Sequence, residues 1–235
     1  MSIYRAAAHA IRSMGAILLP QDCLLCGASA GPTLLCRGCA DALPRLPRAA
    51  CPVCALPAAA GAVCGSCLKQ PPHFDATVAG FRYGFPLDRL VQALKYEHRL
   101  ALAPWFARAL LAGARPQGEL VLALPLGARR LRERGFNQAL EIARPLARAL
   151  GLPLPIGTCI RAADTAPQAS LPWRARQKNV RGAFECRQNL TGKSVLVIDD
   201  VMTSGATLNE FARTLKRHGA HRVTNWVVAR TLSPR

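Results

Sequence analysis

Acidic side chains are scarce in this 235-residue chain: 13 Asp and Glu stand against 31 Lys and Arg, a formal charge of +18. Such a surplus attracts nucleic acid, polyphosphate or another anion at long range and does not bear on the fold. Lysine is itself rare among the basic residues, five in all, and arginine- and alanine-rich composition is also what a biased genome produces. Long apolar runs are missing. None reaches eighteen residues, since even Ile3 to Leu19 is cut by Arg5, His9 and Arg12, which excludes a membrane span and argues against a cleavable signal peptide. Histidine is sparse too: His9, His73, His98, His218 and His221 adjoin no nucleophile-like residue, and no general base can be named. The composition also lacks the disorder signature, because 51% of residues are hydrophobic and 19% charged. The length leaves room for two compact units.

Cysteine is unevenly spread. Eight of the ten lie between residues 23 and 67 as four C-x2-C pairs: Cys23/Cys26, Cys36/Cys39, Cys51/Cys54 and Cys64/Cys67. Cys23 to Cys51 and Cys36 to Cys64 are both 28 positions, so one unit occurs twice. Two thiolates two residues apart face into one tight turn, and two such turns complete a tetrahedral shell around Zn2+. Disulfides are the rival reading, but paired knuckles without a secretory signal point to metal in a reducing compartment. With every position filled by cysteine, both zinc sites are expected to be structural. Sequential pairing of the knuckles is preferred, and interleaving is geometrically open. Gly27, Gly38 and Gly65 are expected to turn amides towards sulfur through positive φ. Cys159 and Cys186 have no partner nearby in sequence and read as small apolar residues.

From residue 73 onward apolar runs alternate with helical periodicity, the grammar of an α/β fold with a doubly wound parallel sheet. Strands are predicted at Ala76–Tyr83, Leu120–Leu124, Ser194–Ile198 and Val223–Ala229. Helices are predicted at Leu87–Tyr96, Leu100–Ala112, Asn137–Leu150 and Ala206–His218. The domain reading is an N-terminal helix within residues 1–20, a double zinc ribbon over 21–72 and the α/β unit over 73–235.

The chemistry is expected where VLVIDDVMTSGATL, Val195 to Leu208, ends a strand and opens a helix. Amides of Thr203, Ser204, Gly205, Ala206 and Thr207 can wrap a phosphate at the helix N-terminus, with the hydroxyls adding donors. Asp199 and Asp200 can then hold ribose hydroxyls directly or through Mg2+. The bland alternative makes Asp200 a helix cap.

This segment resembles the PRPP-binding motif of type I phosphoribosyltransferases. Together with the four cysteine pairs, Phe81-Arg82-Tyr83, Leu94-Lys95-Tyr96, RERGFNQALEIA over Arg132–Ala143, Gln168, Arg176, Asn179-Val180 and Gly182-Ala183-Phe184, it makes the chain resemble the ComF family, associated with natural transformation. The resemblance implies a phosphoribosyltransferase-like domain behind a double zinc ribbon, with Asp199 and Asp200 as the catalytic pair and Thr203–Thr207 on the 5′-phosphate. It also implies a pyrophosphate loop after the first core strand, here Leu126 to Arg130 with Arg129 and Arg130. A hood over 161–182 is implied as well, in which Trp173, Arg174, Arg176 and Lys178 close on PRPP or hold single-stranded DNA. Arg134 to Gln138 is a further anion contact, or Asn137 caps the next helix.

Two functions stay open on these grounds. One is a Mg2+-dependent phosphoribosyltransferase with an unidentified acceptor. The other is a PRPP-sensing protein that binds single-stranded DNA or DNA-uptake proteins without turnover. Reduced cysteines and a PRPP site both imply a cytoplasmic location.

Overall fold

The computed structural model describes residues 21–47, 49–162 and 180–232. The predicted N-terminal helix and the hood stretch 163–179 lie outside the described residues.

The cysteine segment folds as two copies of one knuckle pair. The first carries a small hairpin, β1 (Gln21–Asp22) against β2 (Ser29–Gly31), and a short helix α1 (Arg37–Asp41). The second carries a 3-10 turn at Ala59–Gly61 and helix α2 (Gly65–Lys69). Cys36 and Cys64, 28 positions apart, occupy the same place as the residue that starts each helix. Gly27 has φ 73°, and at the corresponding position of the second copy Ala55 adopts φ 58°. Gly38 and Gly65 depart from expectation: both sit inside α1 and α2, where φ is negative, so their amides serve helical turns.

The rest of the chain builds a four-stranded, all-parallel sheet. Its elements are β3 (Ala76–Arg82), α3 (Leu87–Tyr96), α4 (Leu102–Leu111), β4 (Leu120–Ala123), α5 (Ala128–Arg134) and α6 (Gln138–Leu150), continuing through β5 (Cys159–Arg161), β6 (Phe184–Cys186), β7 (Ser194–Met202), α7 (Ala206–Arg217) and β8 (Arg222–Arg230). The sheet order is β3-β8-β7-β4, with β5 and β6 forming a separate antiparallel pair. Both faces are covered, as a parallel sheet requires. Side chains alternate faces along each strand. Leu196, Ile198, Trp226 and Val228 therefore meet α3, α4 and α6 through Leu94, Phe106 and Ile142. Val195, Val197, Val223 and Val227 meet Leu208, Phe211 and Leu215 of α7 on the other side.

The two ribbons dock at one edge of this sheet but belong to different cores. Cys23, Leu35 and Leu43 join the first, and Cys51, Cys54 and Cys67 join the second. Between them the chain runs along β3, where Arg45 bridges Phe81, the Arg82 amide donates to Pro44 and the Thr77 amide donates to Pro52. An otherwise unpaired strand edge is thus covered.

Two boundaries differ from the sequence reading in ways that shape the site. β7 continues past Ile198 through both aspartates to Met202, because Val201 and Met202 still pair with Ala229 and Arg230 of β8. Ala128, Arg129 and Arg130, expected in the loop Leu126–Arg130, instead open the helix α5. Its sequence ARRLRER is rich in helix formers, and Gly135 ends the turn at φ 77°. Among the described residues no helix is long and apolar enough to cross a membrane.

Behind α7, Gly219 has φ 92°, and a Cβ there would lie 2.8 Å from the Cα of Thr191. Gly219→Ala is expected to cost about 2–3 kcal/mol, from left-handed strain plus a backbone clash. Urea unfolding monitored through the buried Trp226 measures it.

Candidate functional site

In both cysteine clusters the four Sγ atoms lie within 4.8 Å of one another, and the clusters are Cys23/Cys26/Cys36/Cys39 and Cys51/Cys54/Cys64/Cys67. Sequential pairing is therefore the arrangement found. Tetrahedral zinc with bonds of about 2.3 Å sets sulfurs about 3.8 Å apart. Cys26 to Cys36 measures 3.8 Å and Cys54 to Cys64 measures 3.6 Å, so both clusters fit structural zinc. Burial raises the Cys23 thiol, but amides of Cys36, Leu25 and Cys26 outweigh it and bring the pKa down to about 6. At Cys51 the amides of Cys64, Cys54 and Val53 likewise overcome burial, reaching about 7. Each cluster thus holds a ready thiolate.

Strand ends and helix starts frame a cavity of about 580 Å3. Asp199 and Asp200 lie on its floor. Asp200, only 4% exposed, is paired with the Nζ of Lys95, which the last turn of α3 brings in. Its amide donates to Asp199 Oδ1 at 2.8 Å. Burial and then the neighbouring Asp200 charge push Asp199 well above the usual carboxylate range. Burial acts on Asp200 too, but the Lys95 ammonium reverses it and holds that carboxyl below its ordinary value. Lys95 thus favours the charged form of Asp200, while burial beside that charge disfavours the charged form of Asp199. Lys95 stands in a sequence motif noted above, yet nothing local to it signals this partner.

Beyond the acids, residues 203–205 turn into α7, with Gly205 at φ 80°. A Cβ there would meet Met202 Cε at 2.7 Å. Thr203, Gly205 and Thr207 line the cavity. Ser204 and Ala206 are not among its lining residues, the Ser204 Oγ instead accepting from the Ala206 amide at 3.2 Å. First-turn amides of a helix have no earlier carbonyl to reach and face outward as donors.

The loop is held from beneath by Arg230, which is 1% exposed. Its Nη1 donates to the carbonyls of Met202 at 3.0 Å and Thr231 at 2.8 Å, and also to that of Thr203. Its Nε donates to the carbonyl of Cys54, a ligand position of the second cluster, at 2.8 Å. This link joins ribbon and loop across 176 residues, and no local pattern reveals it.

Arg129 and Arg130 line the same cavity from α5, Arg129 lying 3.3 Å from Glu133. Arg134 donates to Gln138 Oε1 at 2.7 Å and stacks its guanidinium over Tyr96 at 5.3 Å. Asn137 caps α6, accepting from the Ala139 amide at 3.0 Å, while its Nδ2 donates to the Leu124 carbonyl at the end of β4. His98, set aside in the sequence reading, also lines the cavity and meets Phe136 edge-on at 5.7 Å. Trp173, Arg174, Arg176 and Lys178 lie outside the described residues. Cys159 and Cys186 correct the expectation that they lack partners: β5 and β6 set them directly opposite, with Sγ atoms 2.6 Å apart.

Two family profiles match the chain, a double zinc ribbon domain over residues 14–68 and a phosphoribosyl transferase domain over residues 137–235. A DNA utilization protein YhgH of Salmonella typhi is 36% identical over 207 residues, covering 84% of this chain and 91% of the relative. YhgH of Escherichia coli K12 is 34% identical over 227 residues, 92% and 100% of the two chains. Competence protein F of Haemophilus influenzae is 31% identical over 178 residues, 71% and 78%.

Elemental analysis is expected to find two zinc ions per chain, falling to about one in either Cys26→Ser or Cys54→Ser. Lys95→Met strands Asp200 in the interior and is expected to cost about 3 kcal/mol in chemical unfolding. Adding Asp200→Asn should restore most of that loss.

Proposed function

Since this chain belongs to the ComF family of competence and DNA utilization proteins, we propose that it binds PRPP in the cavity above β7 and serves DNA uptake. The observation that carries the reading is that one cavity is lined by Thr203, Gly205 and Thr207 of the turn, by Asp199 and Asp200, and by Arg129 and Arg130 of α5. PRPP brings groups that suit each set: a 5′-phosphate, ribose hydroxyls and pyrophosphate.

In this reading Thr203, Gly205 and Thr207 face the 5′-phosphate, with Ser204 and Ala206 supplying backbone and fixing the turn. Asp199 and Asp200 orient the ribose hydroxyls, Lys95 keeping Asp200 ionised. Arg129 and Arg130 neutralise pyrophosphate, Arg offering several donors to a polyanion. Asp199 and Asp200 would hold ribose hydroxyls directly or through Mg2+, which would supply further neutralisation of the pyrophosphate charge. Transfer would develop positive charge at ribose C1 beside these carboxylates as pyrophosphate leaves. Residues 21–72 are taken as the ribbon module and 73–235 as the phosphoribosyltransferase-like unit, working in the cytoplasm where thiolates stay reduced.

A second reading, binding without turnover, is favoured by one feature: Lys95 already pairs with Asp200, one of the two carboxyl groups on the cavity floor. Single-stranded DNA is then the second ligand, held by the basic stretch at Arg174, Arg176 and Lys178.

Calorimetric titration of zinc-loaded protein with PRPP should show Mg2+-strengthened binding that Asp199→Asn/Asp200→Asn abolishes; no heat in wild type overturns the reading. Pyrophosphate release with a supplied acceptor marks an enzyme, and its absence despite binding marks a sensor. DNA affinity should fall steeply with salt, survive the aspartate changes, and lose about one unit of log–log slope for each phosphate contact removed at Arg174, Arg176 or Lys178.

A further inference from the structure

Cys159 and Cys186 are the two cysteines that the zinc clusters leave aside. The strand register makes Cys159 the partner of Cys186 and Arg161 the partner of Phe184. The Arg187 amide donates to the Thr158 carbonyl at 2.8 Å, which identifies 159/186 as a pair whose own amides do not bond each other. In such pairs the Cα atoms approach to about 4.5 Å, within the range a disulfide spans. The sulfurs stand 2.6 Å apart. That is about 0.6 Å beyond a disulfide bond, and well short of the 3.6–3.8 Å seen within the zinc clusters, so the pair does not have the spacing of two ligands on one metal.

From this geometry we propose that Cys159 and Cys186 are a reversible dithiol–disulfide pair. Cys159 is the partly exposed member and Cys186 is 6% exposed. Burial and the neighbouring Cys186 push the Cys159 thiol up, so it first loses its proton; the thiolate then attacks a low-molecular-weight disulfide and expels one thiolate. The Cys186 thiolate then displaces the second thiol, closing the S–S bond. The two thiols lose two electrons to the small disulfide, and their two protons go to the two thiolates released. The bond encloses residues 160–185 and pins β5 to β6 two residues from Arg161, which lines the cavity. This consequence for the cavity rests on the reading above, whereas the bond itself does not.

The test uses full-length, zinc-loaded protein equilibrated in glutathione buffers of rising oxidised fraction, then alkylated and digested with trypsin. Cys159 falls in peptide 149–161 and Cys186 in peptide 182–187, neither of which contains a zinc-cluster cysteine. A linked 149–161/182–187 species that grows with oxidation, disappears with dithiothreitol and leaves two zinc ions bound is the expected result. Recovery of both peptides alkylated, or each separately glutathionylated, at every ratio overturns the proposal. Thermal unfolding gives a second readout: the wild-type midpoint should rise by several degrees on oxidation while Cys159→Ser stays unmoved, and equal response of the two proteins overturns it as well. Equal PRPP affinity of the oxidised and reduced forms would overturn only the tie between the bond and the cavity. Failure of PRPP to bind at all would leave the peptide result intact.

Discussion

The buried guanidinium of Arg230 is the contact on which both halves of the molecule depend. A cation at 1% exposure is costly unless its donors and its charge are met. Carbonyls of Met202, Thr203, Thr231 and Cys54 meet the donors. Burial pulls its pKa down, and the sulfurs of Cys54, Cys67 and Cys64 oppose that fall. A four-thiolate zinc centre carries net negative charge, so the second ribbon supplies the field in which an arginine can sit beneath the 203–205 turn. The arginine in turn fixes the carbonyls of Met202 and Thr203 at the start of that turn. Metal centre, cation and loop are one electrostatic unit.

The position of the ribbons follows from the same economy. A segment of about fifty residues with few large apolar side chains does not build its own core. Here it lends cysteines and a few leucines to two existing cores, one on each face of the sheet, and threads between them along β3. The second ribbon is consequently close to the phosphate turn through Cys54, while the first reaches α3 and α4 through Leu35 and Leu43. The duplication in sequence is thus divided in space: two nearly equal units do unequal structural jobs.

What could be read from the sequence was local. The four C-x2-C pairs marked the metal ligands and left sequential pairing preferred over interleaving, and the 3.6-residue period of Leu87–Tyr96 gave a helix with those bounds. The apolar run before Asp199 and the glycine before Ala206 announced β7 and α7. What escaped was set by distant partners. β7 runs four residues further than its apolar stretch because β8 lies alongside. The loop expected over Leu126–Arg130 gives way to α5 from Ala128 on, because ARRLRER is rich in helix formers. Lys95 meets Asp200, Cys159 meets Cys186 and Arg230 meets Cys54 only once the sheet has assembled, and each pair is too far apart in the chain for spacing to reveal it. Gly38 and Gly65 show the opposite error, glycines credited with a special conformation that an ordinary helical turn replaced.

The pairing of β3 with β8 has a consequence for synthesis. β3 is complete at Arg82, but the strand that flanks it begins at Arg222, so the ribbon leaves the ribosome long before Arg230 exists. During that interval zinc can close both clusters, yet the second has no cation above it and β3 has only the ribbon segment on one side. Translation at about 5–20 residues per second makes this gap several seconds or more. The last long strand to emerge is therefore the one that seals the sheet and settles the charge of a centre made near the start, and a nascent chain arrested before it would expose both.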